Sequence, residues 1–176
     1  FGKKGFIIRN ALNKIQVEQS AKALAKRQPD DFIKVGYFSG SQTHQKDFDQ
    51  VSTPLLQILE KYPNVKFYLG GFLELPSEFD KFADRIVRIP FTDWQELPFE
   101  ISKVDINLAP LEVGNPYCEA KSELKYNEAA ILKIPTIASP TSCFKYAIED
   151  GKNGCLLYTS PSHETGRNFV CRLLLE

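Results

Sequence analysis

Short apolar runs of strand length alternate along the chain with stretches in which apolar residues recur every three or four positions. "FIKVGYF" (32–38), "VKFYLGG" (65–71), "RIVRIP" (85–90), "DINLAP" (105–110) and "PTIAS" (135–139) are rich in β-branched and aromatic residues and are closed by Gly, Pro or Ser, as buried strands are. Between the first two, Leu55, Leu56, Ile58 and Leu59 fall at helical spacing, with Ser52 as the expected cap and Pro54 in the first turn. "PSEFDKFADR" predicts a short helix capped by Ser77, and "DWQELPFEISKV" a weaker one interrupted by Pro98. "SELKYNEAAILK" (122–133) predicts a helix capped by Ser122, and "CFKYAIED" (143–150) another. Near the start, "GFIIRNAL" reads as a further strand. Parallel neighbours need crossover helices, and those crossovers are right-handed, so this order predicts an α/β domain with a mostly parallel sheet.

Composition narrows the function classes. At 176 residues, with 43% hydrophobic and 25% charged, the chain has room for one domain with a proper core. Lys plus Arg and Asp plus Glu balance at 22 each, so no net field recruits nucleic acid or an anionic membrane, and any membrane association is peripheral. The cysteines Cys118, Cys143, Cys155 and Cys171 show no CxxC spacing and are too sparse for a secreted scaffold. That favours a reducing compartment and gives no support to a metal site. No run approaches the roughly 18 apolar residues of a membrane span, and no signal segment opens the chain. The expected location is cytoplasmic.

Both ends read as foreign to the domain. The chain opens at Phe1, without methionine and within an apparent strand, so residues 1–31 are read as a linker and the end of a preceding domain. After Gly154 the character changes abruptly: "CLLYTS" back-translates as TGT CTC TTA TAC ACA TCT, which resembles a sequencing-library adapter, and "PSHET" and "VCRLLLE" resemble its continuation. Residues 155–176 are therefore expected to be a non-native read-through tail, although "NFVCRLLLE" also has helical spacing. The domain proper is placed at 32–154.

In open parallel sheets ligands sit beyond the carboxyl ends of the strands. Three loops lie there: "SGSQTHQKDF", "GGFLELPS" and "LEVGNPYCEAKS". The first offers Ser39, Gly40, Ser41 and Thr43 with Lys46, small residues that expose backbone N–H groups beside a cation, a combination that can hold a diphosphate or be a plain polar turn. It is neither a Walker loop nor GxGxxG. His44 reads as a turn or capping residue rather than a proton shuttle. The third loop leads into a helix whose first turn, flanked by Lys121 and Lys125, can take an anion, and Glu128 one turn on can accept from sugar hydroxyls. The bland reading is a surface helix with a Lys125–Glu128 pair worth a few tenths of a kcal/mol.

The runs "IKVGYFSGSQTHQKDF", "VKFYLGG", "VDINLAPLEVGNPYCEAKSELKYNEA", "IPTIASPTSCF" and "AIEDGKNG", in that order, resemble the C-terminal nucleotide-sugar-binding domain of GT-B glycosyltransferases of family 4, also called glycosyltransferase group 1, over roughly Arg9 to Gly154. The resemblance implies a Rossmann-like sheet with helices on both faces, the C-terminal half of a GT-B fold. It also implies a nucleotide-sugar donor used as substrate, no separate cofactor, no required metal, retention of anomeric configuration, and a glycan or other acceptor held by an N-terminal domain. Carried onto this sequence, Glu128 matches the second glutamate of the E-x7-E motif, which binds the donor ribose. Lys46 is similar to the diphosphate-contacting lysine. Ala120 stands where the first glutamate belongs, which leaves Glu119, one residue early, as the candidate sugar contact and the catalytic residues unassigned. "KSE" replaces the usual Gly-Phe-Gly, so Lys121, Ser122 and Lys125 are expected to hold phosphate together with Gly40 and Lys46. The family places the nucleobase near Arg88 to Pro90.

Gly70-Gly71 is expected to allow close backbone approach, Asp105 to start a strand, Cys118 to fill core space, and Trp94 and the phenylalanines to pack rather than stack on a base. The expected activity is hexosyl transfer, with a fragment of this size inactive alone. Two other readings stand beside it: another GT-B enzyme such as a nucleotide-sugar epimerase, and a non-catalytic interaction module.

Overall fold

The computed structural model describes residues 4–41 and 44–157. Six strands form one sheet: β1 (Ile33–Ser39), β2 (Val65–Gly71), β3 (Ile86–Ile89), β4 (Ile106–Ala109), β5 (Thr136–Ala138) and β6 (Gly154–Leu156). They lie in the order β3-β2-β1-β4-β5-β6, every neighbour parallel. β1 is central, with Val35 opposite Phe67 on one side and Ile106 on the other. Strands covered on both faces have no polar side to show, which is why they read as near-continuous apolar runs.

One face is covered by α2 (Gln45–Lys61) and the 3₁₀ segment Ser77–Arg85. Phe48, Val51, Leu55 and Leu59 of α2 are fully buried there with Tyr37, Phe67 and Phe79. Those four aromatic rings sit with centroids 5.4 to 6.3 Å apart. Phe38 and Tyr68 alternate with Tyr37 and Phe67 and so point to the other face. They meet α1 (Lys14–Lys26), α3 (Leu97–Ile101) and α5 (Leu124–Ala130) around Ala23, Ile101, Val104, Ala129 and Leu132. Gly36 and Gly70 are open on that face because a Cβ on either would come within 2.9 Å of the Phe38 ring. A third cluster, under β5 and β6, joins Cys118 of α4 (Pro116–Glu119), Phe144 of α6 (Ser142–Ala147) and Leu156.

Five expected strands are present, and several local readings are corrected. "GFIIRNAL" is not a strand: it joins no sheet among the described residues, and Phe6, Ile7 and Ile8 are exposed. The unpredicted α1 follows, started by a capping box between Asn13 and Gln16. α2 begins at Gln45 with Pro54 inside it, because burying Phe48 and Val51 requires two more turns than a Pro54 start allows. Ser77 caps nothing; Pro76 precedes the 3₁₀ segment without a side-chain bond. Ser122 does not cap α5, which starts after Glu123, since the Ser122 hydroxyl accepts from Asn10 Nδ2 at 2.7 Å. The last strand, Gly154–Leu156, crosses the boundary drawn at Gly154 and buries Leu156. The rest of the expected tail, 158–176, and Thr43 lie outside the described residues.

Asp105 stands just before β4, where its carboxylate accepts from Arg27 Nη2 at 2.7 Å and from the Lys34 backbone N–H at 2.8 Å. Among the described residues Cys118 and Cys143 are free thiols, no three or more His, Cys, Asp or Glu are grouped to hold a metal, and no helix is long and apolar enough to cross a membrane.

Candidate functional site

β1 connects outward to β2 on one side, while β4 continues the sheet on the other, so the loops leaving β1 and β4 diverge and open a crevice at their carboxyl ends. A cavity of about 280 Å³ occupies it. Its walls are Gly40 and His44 after β1, Gly71 at the end of β2, Ile89 and Pro90 at the end of β3, and Leu124, Lys125 and Glu128 of α5. Gly71 has φ +82°, and a Cβ there would lie 1.9 Å from the Ser39 carbonyl oxygen, so only glycine lets the two strand ends approach this closely. The Phe72 N–H donates to the same oxygen at 3.3 Å.

Two opposite charges line the inner wall. Lys125 Nζ is buried with no hydrogen-bond partner among the described residues and lies 4.6 Å from the centroid of the Tyr37 ring. Burial pushes its pKa down to about 8, partly opposed by Asp47 and Glu128 and reinforced by Lys121. Glu128 is one turn further along α5; burial pushes its carboxyl up to about 7, with Lys125 pulling the other way. An ammonium held out of water without a bonded acceptor is costly unless something supplies the anion.

Beside this wall lies a polar hub that sequence reading missed. The buried Asp47 accepts through Oδ2 from Lys121 Nζ and from His44 Nδ1, both at 2.8 Å, and through Oδ1 from the Glu112 N–H at 3.2 Å and the Cys118 thiol at 3.3 Å. Burial alone raises its pKa, but the bonds from Lys121, His44 and Glu112 outweigh that and hold the carboxyl below its ordinary value. The available signal was the His44-x-x-Asp47 spacing, which puts both side chains on one side of a helix start.

Of the expected site residues, Gly40, Lys125 and Glu128 meet on the cavity wall. Lys46 is exposed and stands off that wall, Lys121 is committed to Asp47, and Ser122 is held by Asn10. Glu119 is also outside the cavity: Oε2 accepts from the Ser142 N–H at 3.1 Å and Oε1 from the Gly114 N–H at 3.2 Å, bonds that hold its carboxyl below the usual range. Cys118 is buried, as expected of a core filler, though its thiol also serves the hub. At the outer rim Phe91 stacks on Phe72 with centroids 5.1 Å apart, and both rings are exposed; Trp94, also exposed, lines a separate small pocket with Leu12 and Leu97.

The family Glycosyl transferases group 1 matches residues 33–174. The chain belongs to that family. No curated protein matches the sequence. Among solved structures it resembles the C-terminal domain of the group 1 glycosyl transferase LpcC from Francisella tularensis, with TM-score 0.55, 21% identity, 92% of this chain and 83% of that one. It also resembles Anabaena HepE in complex with UDP-glucose, with TM-score 0.57, 18% identity, 93% of this chain and 44% of that one. A third likeness is to a putative UDP-N-acetylglucosamine 2-epimerase from Listeria monocytogenes, with TM-score 0.58, 13% identity, 89% of this chain and 42% of that one. The chain thus spans most of the isolated LpcC domain and under half of the two longer proteins. At these identities the likenesses carry the fold, a Rossmann-like parallel sheet matching the C-terminal half of a GT-B protein.

Proposed function

We propose that this group 1 domain binds a nucleoside-diphosphate sugar in the crevice beyond β1 and β4 and presents it for glycosyl transfer to an acceptor held elsewhere. The observation that carries this reading is the buried, unbonded Lys125 Nζ on the wall of a cavity at the switch point of a parallel sheet. A diphosphate supplies the acceptor oxygens that this ammonium lacks. Glu128, one turn away, is placed to accept from ribose hydroxyls, and the open backbone at Gly40 leaves room for phosphate to approach. In transfer, the same ammonium would stabilise the departing diphosphate, with retention as the family resemblance implies. The likeness to HepE bound to UDP-glucose supports a uridine donor.

The likeness to the putative epimerase keeps a second reading, in which the same pocket serves a reaction that needs no acceptor. Supplying the donor alone to the complete protein separates the two, since only an epimerase then releases product.

Heteronuclear NMR titration of the chain with UDP, GDP and ADP tests the site itself. Saturable shifts at Gly40, Lys125 and Glu128 are expected for one of the three. A hydrogen bond to a charged carboxylate contributes about 1.5–3 kcal/mol, so Glu128→Ala should weaken that nucleotide by about 10- to 100-fold. A folded chain whose spectrum ignores all three nucleotides would remove the proposal.

A further inference from the structure

The Asp47 hub touches the cavity at one residue, His44. Its ring is oriented by the carboxylate: the 2.8 Å contact to Asp47 Oδ2 puts a proton on Nδ1. Among the described residues none bonds Nε2. The remaining neighbours are cationic. Lys121, from the loop before α5, brings its Nζ to 3.5 Å from the ring, and Lys125 of α5 shares the cavity wall with it. Three groups able to carry positive charge therefore surround one carboxylate, and the charge of the ring is disfavoured there. Burial lowers its pKa first; Lys125 and Lys121 add to that, against the bond and charge of Asp47.

We propose that His44 is a diphosphate-binding residue that works by protonation: a nucleoside diphosphate entering the cavity takes up a proton from solvent onto His44 Nε2, while Asp47 keeps Nδ1–H in place. This rests on the reading of the cavity as a nucleotide site. In balance, the neutral ring gains one proton at Nε2 from the buffer, the phosphate keeps its own charge, and no covalent bond to the ligand forms. The anion reverses the local field that had favoured the neutral ring, and Nε2–H becomes a donor to a phosphate oxygen. Asp47 is here a positioning residue, acting through the orientation it gives to His44 and Lys121. Nucleotide affinity should therefore rise as pH falls through neutrality.

The test is calorimetric titration of the full chain with UDP at pH 7.5 in two buffers of different ionisation enthalpy, on wild type and His44→Gln, whose amide can still donate to Asp47. Wild type should take up about half a proton or more per nucleotide, and His44→Gln less than half as much, with affinity reduced about 3- to 10-fold. Imidazole ¹⁵N spectra of the wild type should show the His44 ring gaining its second proton at saturation. The chain has two histidines, so the variant assigns them, and the wild-type spectra decide the matter if it does not fold. UDP binding with a neutral His44 ring, or with unchanged uptake in the variant, overturns this inference and leaves the nucleotide site standing. No binding of UDP, GDP or ADP overturns both.

Discussion

Lys121 Nζ donates to Asp47 Oδ2 at 2.8 Å, joining residues 74 apart in sequence. The bond ties the loop before α5 to the first turn of α2, so the two elements on either side of the crevice are fixed to each other through one buried carboxylate. Removing one partner of a buried pair leaves the other charged and unpaired, which costs about 3–5 kcal/mol. Because Lys121 keeps some exposure, the lower end applies: Asp47→Ala should destabilise the chain by about 3 kcal/mol, a fall in melting temperature of about 6–12 °C. Thermal melts check this, and a fall below 2 °C would mean that water replaces the carboxylate at little cost.

Glu128 predicts the opposite sign. Its folded pKa, near 7, lies above its ordinary 4.5, so the folded state binds more protons than the unfolded one between these values and stability declines as pH rises across that window. Replacing it with an uncharged isostere removes the penalty. Glu128→Gln should stabilise the unliganded chain by about 2 kcal/mol at pH 8, somewhat less than the full shift implies because Lys125 loses its neighbour, and by little at pH 4.5. Urea midpoints at the two pH values measure it. The same variant should bind nucleotide less well, since the group that costs stability is the one proposed to accept from the ribose.

How much of this was legible follows from what each residue answers to. The strands at 33–39 and 65–71 were readable because a parallel strand buried on both faces must be apolar throughout. The start of α2 was not, because Pro54 is a strong local signal while the anchoring of Phe48 and Asp47 is tertiary. Edge strand β6 has three residues and too little sequence to show a period. At the candidate site, Glu128 and Lys125 are named from their place on a helix and from family resemblance, and both line the cavity. Lys46 and Lys121 were named for their charge, but charge does not say where an ammonium is committed; Asp47 holds one, and the other faces solvent. His44 reads as a turn or capping residue and does stand at the N-cap position of α2, without a side-chain cap bond; its Asp47 partner is visible only once the helix start is placed correctly.

Gly71 predicts a steric failure. At φ +82° a side chain is strained by about 1–3 kcal/mol, and its Cβ would lie 1.9 Å from the Ser39 carbonyl oxygen, inside any van der Waals contact. Gly71→Ala should therefore cost at least about 3 kcal/mol and force β1 and β2 apart at their carboxyl ends. Amide shifts at Ser39, Gly40 and Phe72, measured beside a thermal melt, report both effects. A variant with wild-type stability would show that the two strand ends separate without penalty.

The final prediction concerns the sheet edge at β6. Thr136, Ile137 and Ala138 pair with Gly154, Cys155 and Leu156, and the Leu157 N–H donates to the Ala138 carbonyl at 2.8 Å. Leu156 is buried against Phe144 and Ile148. A chain ending at Gly154 loses this side chain, whose burial contributes about 1.5–3 kcal/mol, and leaves carbonyls of β5 without their backbone donors. A chain ending at Leu157 keeps both. Urea denaturation of the two truncated chains should separate them by about 2–4 kcal/mol in favour of the longer one. Equal midpoints would mean that Cys155 to Leu157 add nothing to the domain and that its boundary belongs at Gly154, where the resemblance of the following residues to a translated adapter places it.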